Sequence, residues 1–240
     1  VGVFEFEEEE ATSYEIGAKM GLLDGRAELN VAAFFTDYDD LQTSVFDGIL
    51  GFNVNNAGGA EIKGVELDGR WLISEGFTLS GSVGFLDFEF TEFPNSQCYF
   101  GQTAASCAVT GTADASGERK EYTPEWKWAI TGDYVTPIGN SLEFRATADV
   151  SYVDEYTAVP NLDPKGSQDS YTRVNARMAV GAADGTWEVA LVGKNLTDEK
   201  VLSFGGNATL AGPLTGGGGN AYYGFIDRPL SVAVQGLYRF

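Results

Sequence analysis

The sequence predicts an all-β fold, an antiparallel up-and-down transmembrane β-barrel, with about nine strands in this chain. Three observations carry that prediction. Long runs alternate apolar and polar residues at period two, short and long connections follow one another in strict rotation, and aromatic residues gather beside the short connections.

Taken in order, residues 13–22 set Tyr14, Ile16, Ala18, Met20 and Leu22 on one face and Glu15, Gly17 and Lys19 on the other. Residues 27–46 and 77–90 alternate less cleanly. Their AAFF and GFLDFEF stretches put aromatics on both sides, as expected where a strand projects beyond its sheet or carries a bulge. Residues 61–73 oppose Val65, Leu67 and Trp71 to Glu66, Asp68 and Arg70, and residues 124–135 oppose Trp126, Trp128, Ile130 and Tyr134 to Lys127, Thr131 and Asp133. Residues 142–156 set Leu142, Phe144, Val150 and Tyr152 against Glu143, Arg145, Thr147 and Asp149. Residues 171–182 set Val174, Met178 and Val180 against Arg173, Asn175 and Arg177. Residues 186–196 present Trp187, Val189 and Leu191 opposite Glu188 and Lys194. The last run, 228–240, sets Val232, Val234, Tyr238 and Phe240 against Gln235 and Arg239. Strands in globular domains average about 5–6 residues, whereas a tilted membrane-crossing strand needs about 9–11. The runs match the second length.

The connections at 22–26, 73–77, 136–141 and 182–186 have the Asp-Gly, Glu-Gly or Gly-Asn chemistry of tight turns. Long links at 47–60, 91–123, 157–170 and 197–227 separate them. In an up-and-down sheet this rotation puts every short turn at one end and every long loop at the other, the arrangement of an outer-membrane barrel. A Greek-key sandwich has no reason to sort its loops that way. Trp71, Phe77, Tyr134, Leu142 and Trp187 flank the short turns, as an interfacial girdle requires.

Composition narrows the functional classes. A formal charge of -20 leaves no basic footprint for nucleic acid. With no histidine, Ser-His and Cys-His catalysis and imidazole metal sites are excluded. No apolar run is long enough for a transmembrane helix, and VGVFEFEEEE lacks the basic and apolar regions of a signal peptide.

Four stretches, in order, resemble TonB-dependent outer-membrane receptors: SYEIGAKMGLLDGRAELNVAAFFTDYDDLQ (13–42), GAEIKGVELDGRW (59–71), LVGKNLTDEKV (191–201) and the closing RPLSVAVQGLYRF (228–240). The resemblance implies a barrel of 22 strands plugged by an N-terminal domain. Residues 1–240 are then expected to be the C-terminal portion of the barrel, entered inside an extracellular loop, with the plug and first strands absent. It further implies TonB-coupled uptake of a scarce nutrient such as a ferric siderophore, cobalamin or glycan, without covalent chemistry, catalytic residues, cofactor or resident metal. The expected partners are outer-membrane lipid, the TonB energy-coupling complex acting through the plug, a small-molecule or glycan ligand and the barrel-assembly machinery. A passive porin-like channel and a soluble β-sandwich binding module are the alternative readings.

Several residues are candidates for function. Cys98 and Cys107, in an exported loop, are expected to form a disulfide. Tyr222, Tyr223 and Phe225, beside a four-glycine run, either contact ligand or rest on the barrel rim. Glu66, Asp68, Arg70, Arg145, Asp149, Arg173 and Arg177 are expected to line the lumen, either facing substrate and plug or pairing across strands. Glu5 and Glu7 to Glu10 offer carboxylates to a divalent cation, or form a solvated, self-repelling loop. Tyr238 and Phe240 resemble the C-terminal signal read by the assembly machinery.

Overall fold

The computed structural model describes residues 7–46, 52–103, 105–109, 111–208 and 221–240. Alternating sequence becomes long strands: β1 (Glu10–Leu22), β2 (Ala27–Asp39), β3 (Ala60–Ser74), β4 (Phe77–Phe90), β5 (Trp126–Ile138), β6 (Leu142–Val153), β7 (Tyr171–Ala182), β8 (Trp187–Lys194) and β9 (Ser231–Tyr238). They form one nine-stranded sheet in chain order, each antiparallel to the next.

Register runs in step across the sheet. Ala18, Val31, Leu67, Val83, Trp128 and Tyr152 are successive partners on one face. The adjoining rung, Asn30, Asp68, Ser82, Ala129, Ser151 and Arg173, lies on the other. Because side chains alternate at period two, one register sorts all nine strands into an apolar and a polar face. The apolar face has no protein packed on it: Ile16 is 77% exposed and Val234 76%. A water-soluble sandwich would bury those residues, since an exposed apolar surface this continuous marks an interface.

The short turns gather at one end. The first, after Leu22, holds Leu23, Asp24 and Gly25 all at positive φ (55°, 56° and 83°), which is why glycine and aspartate occupy it. Beside the turns, Trp71 is the partner of Ala27 and Leu79, Phe77 of Tyr134, and Trp187 of Tyr238, so the girdle residues do share the short-turn rim.

The structure departs from the sequence expectation at three strands. The single strand expected over 27–46 is broken. Asp40 adopts φ 55°, and the chain then enters a separate hairpin in which Gln42–Phe46 pairs with Phe52–Asn56. The strand expected over 124–135 starts at Trp126 and runs on to Ile138. Within the sheet a bulge falls between Leu72 and Ser74 of β3, while the mixed aromatics of β4 reflect the other expected cause, projection beyond the sheet. The long links are structured, with small hairpins at 96–97 and 112–113, 156–157 and 167–168, and 202–207 and 222–226, together with a one-turn helix, Ala105–Val109.

The aromatics on both sides of β4 now have a cause. Its pairing with β5 stops at Phe85, so the strand projects beyond β5. There Phe88 and Phe90 turn to the polar-face side and pack with Ala57, Ala60, Phe93 and Ala115 into a small core beneath the loops. On the opposite side of the same projection Lys63 pairs with Glu61 at 2.7 Å, past the end of the uncharged band.

Candidate functional site

The polar face and the loops above it form the candidate site. Glu66, Asp68, Arg70, Arg145, Asp149, Arg173 and Arg177 all fall on that face, because each occupies the same parity in the shared register. Five of the seven are engaged, three of them across strands. Asn30 Nδ2 donates to Asp68 Oδ2 at 2.9 Å, and Asn175 Nδ2 to Asp149 Oδ2 at 2.6 Å. Arg145 pairs with Glu143, and Arg177 with Glu188. Arg173 reaches Asp227 at 2.8 Å while its guanidinium lies 5.3 Å from the centre of the Tyr171 ring. Among the described residues, Glu66 and Arg70 make neither an ion pair nor a side-chain hydrogen bond. Of the seven, five are thus engaged and Glu66 and Arg70 are free to meet another molecule, as are Lys19, Lys127 and Lys194 at the same parity.

Above the ladder, a cavity of about 620 Å³ opens between the β4–β5 and β6–β7 loops, with Arg119, Lys120, Glu125, Asp154, Tyr156 and Gln168 in its wall. Arg119 joins Asp87 at 3.2 Å and Glu125 at 3.3 Å, which ties the loop to the end of β4. Tyr122 donates to the Ala158 carbonyl at 2.8 Å and lies 5.9 Å from the Tyr156 ring. Burial, reinforced by neighbouring Tyr171, pushes the Tyr156 phenol up to about 12. Burial also raises Tyr122, with a smaller contribution from Glu121. Both phenols therefore stay protonated donors at neutral pH.

The three aromatics of the last loop are divided. Tyr222 lies beneath Lys165, whose Nζ is 4.9 Å from the ring centre and 3.3 Å from the hydroxyl. Tyr223 and Phe225 stand on the exposed face of the 202–207/222–226 hairpin with Phe204, their rings 6.0–6.3 Å apart. Phe204 is the member that the sequence reading missed. Its signal was Phe225, which the register places directly opposite. The other face of the hairpin carries Gly205, whose amide donates to the Ala158 carbonyl at 3.2 Å. The neighbouring glycine run, 216–219, lies outside the described residues, as does Glu5.

Cys98 and Cys107 are joined, with Cα atoms 5.8 Å apart. Of the acidic run, Glu9 accepts the Gln42 amide at 2.7 Å, and the Glu7 amide donates to Asn56 at 2.9 Å. These acids therefore brace the first outer hairpin. Among the described residues no cluster of acidic or cysteine side chains is arranged to hold a metal ion. Tyr238 and Phe240 stack loosely, with ring centres 6.3 Å apart, at the short-turn end of the apolar face.

A family model described as "TonB dependent receptor-like, beta-barrel" matches residues 2–207. The pesticin receptor of Yersinia enterocolitica is 31% identical over 117 residues, 45% of this chain and 16% of the relative. Among solved structures, the ferric yersiniabactin uptake receptor FyuA from Yersinia pestis superposes with a TM-score of 0.70 at 17% identity, over 95% of this chain and 29% of that one. The siderophore receptor PiuA from Acinetobacter baumannii gives 0.65 at 20% identity, over 94% and 28%. The chain thus spans less than a third of the length of each of these proteins.

Proposed function

Since the chain belongs to the TonB-dependent receptor β-barrel family and so to the outer membrane, we propose that it forms part of the wall and outer loops of a receptor for energy-coupled uptake of a scarce nutrient. The observation that carries this reading is the polar face. It combines cross-strand pairs with uncommitted charges, Glu66, Arg70 and Lys127 among them, beneath a polar cavity framed by the outer loops. A wall that satisfies its own charges is rigid and well hydrated, suited to passing a solute and to resting against a plug. The loops supply phenol donors and exposed rings, groups that recognise a large, hydroxyl-rich or aromatic ligand. FyuA is a ferric yersiniabactin uptake receptor and PiuA a siderophore receptor. By extension the ligand class here is a ferric siderophore, with cobalamin and glycans as the other nutrients to try. The plug and the contact with TonB come from the remainder of the receptor. The reaction is transport, with no bond made or broken. Tyr238 and Phe240 serve as the terminal signal for barrel assembly.

The test is uptake by cells expressing the full-length receptor. Labelled ferric siderophores, cobalamin and glycans are offered in turn, with and without a functional TonB complex. One ligand is expected to accumulate only when TonB is active. Accumulation unchanged by loss of TonB would assign the barrel to passive channels instead.

A further inference from the structure

We propose that the apolar face carries a specific lipid site, a groove floored by Gly69 and Gly81 that holds one acyl chain of an outer-membrane phospholipid. The two glycines are direct partners across β3 and β4. Their rung continues to Leu29 on one side and Ile130 on the other. Leu67 and Val83 form the rung above, and Trp71 and Leu79 the rung below. A floor without Cβ atoms, ringed by full-sized side chains, leaves a depression of about 630 Å³ whose lining is almost wholly apolar.

The occupant follows from where the groove lies. It is continuous with the face that meets membrane hydrocarbon, so water has no access and no polar groups to hold it there. An empty groove would forfeit dispersion contacts along its whole lining. A second copy of the chain would present the flat side of a sheet, which cannot enter a recess one side chain deep between six walls. A single flexible hydrocarbon chain can. Trp71, 43% exposed at the short-turn rim, places the groove towards the periplasmic leaflet and aligns it with the interfacial level where a headgroup sits. The site rests on the barrel's position in the membrane and not on which nutrient is carried.

Glycine substitution is a poor probe, because a Cβ at Gly81 would lie 3.0 Å from the Ala129 carbonyl. Filling the groove from its walls avoids that strain. Leu79→Trp and Ala27→Phe do so from different strands, while Val234→Trp enlarges a distant, 76% exposed position on the same face. Full-length receptor is extracted with native lipid, passed through repeated detergent exchange and weighed by native mass spectrometry. Wild type and Val234→Trp are expected to keep one phospholipid that Leu79→Trp and Ala27→Phe lose, with circular dichroism unchanged. Equal retention in a folded groove-filling variant, or no retained phospholipid in wild type, overturns the proposal. A wild-type dimer that either filling variant disperses also overturns it, and assigns the groove to a second copy.

Discussion

Asn175 holds Asn195: its Oδ1 accepts the Asn195 amide at 2.8 Å, while its Nδ2 donates to Asp149. One side chain thus links the ladder on the polar face to the start of the last outer loop. Asn195, 3% exposed and at φ 52°, then binds the loop itself. Its Nδ2 donates to the carbonyls of Glu199 and Arg228, and its Oδ1 accepts the Glu199 amide. Asp198 completes the motif by accepting the Leu230 amide at the entry to β9. The Asn-Leu-Thr-Asp segment is therefore a clamp that sets where β9 begins.

Asn195→Ala removes three side-chain hydrogen bonds to the partly exposed backbone of Glu199 and Arg228, at a cost of about 1–3 kcal/mol. Asn195→Gly accepts the positive φ but loses the same bonds, so it should recover only about 1 kcal/mol of that. Denaturant unfolding of the receptor in vesicles measures both. A loss below 1 kcal/mol for the alanine variant would mean that the clamp is dispensable.

Phe34 lies over Gly64 on the polar face. A Cβ at Gly64 would come within 2.2 Å of the Phe34 ring. The two are cross-strand partners, and the missing side chain of one makes room for the ring of the other. Gly64→Ala is expected to destabilise the barrel by about 1–3 kcal/mol through overpacking. Adding Phe34→Leu should restore most of it. Strict additivity of the two changes in a double-mutant cycle would contradict the packing account.

Tyr156 gives a pH test outside the membrane-spanning strands. Its phenol is raised from 10.0 to about 12 by burial, and its hydroxyl donates to the Leu202 carbonyl at 3.3 Å. The folded state holds this proton more tightly than the unfolded state does. The associated stability is therefore complete below pH 10 and lost as pH rises towards 12. A difference titration at the phenolate absorption band, wild type minus Tyr156→Phe, should show one group ionising near pH 12. Ionisation near pH 10 would show that the loop leaves the phenol in water.

The spanning strands were legible because period-two alternation is written within each segment, and the shared register then placed all seven charged residues on one face. The outer-end structure was not legible, for a different reason. The two-residue ladder that pairs Ser96–Gln97 with Thr112–Ala113 has no periodicity of its own. It adjoins the place where Phe93 of the small core bonds Ala115 and Ser116, a contact between separate segments. Asp40 shows the same limit, since acidic and aromatic residues continue through a break that one left-handed residue makes. The groove at Gly69 and Gly81 was invisible for a third reason. Each glycine is unremarked in its own strand, and only pairing brings them together.

The disulfide should be local in effect. Cys98 and Cys107 are nine positions apart and close a loop that lies beyond the sheet. In the Cys98→Ser/Cys107→Ser variant the barrel should unfold at the wild-type denaturant midpoint, while limited proteolysis between the two positions speeds up severalfold. A lowered barrel midpoint would show that the loop supports the strands beneath it.

Ala148 and Thr147 are neighbours in β6 that the register sends to opposite faces. Ala148 has Gly132 and Ala176 as partners, on the apolar face near mid-strand. Thr147 has Asp133 and Arg177, and its hydroxyl donates to Asp133 at 2.7 Å. An arginine at 148 enters hydrocarbon with no counter-ion, which costs about 2–4 kcal/mol near the midplane of a barrel. At 147 the same residue meets Asp133 on one side and Arg177, itself paired with Glu188, on the other in a hydrated lumen, so Thr147→Arg should cost about 1 kcal/mol for the lost hydroxyl bond and under about 1 kcal/mol more for the like charge. Reversible unfolding of the two variants in vesicles compares them directly. If Thr147→Arg were the more damaging, the two faces of the sheet would be exchanged, and residue 147 would be the one in contact with lipid.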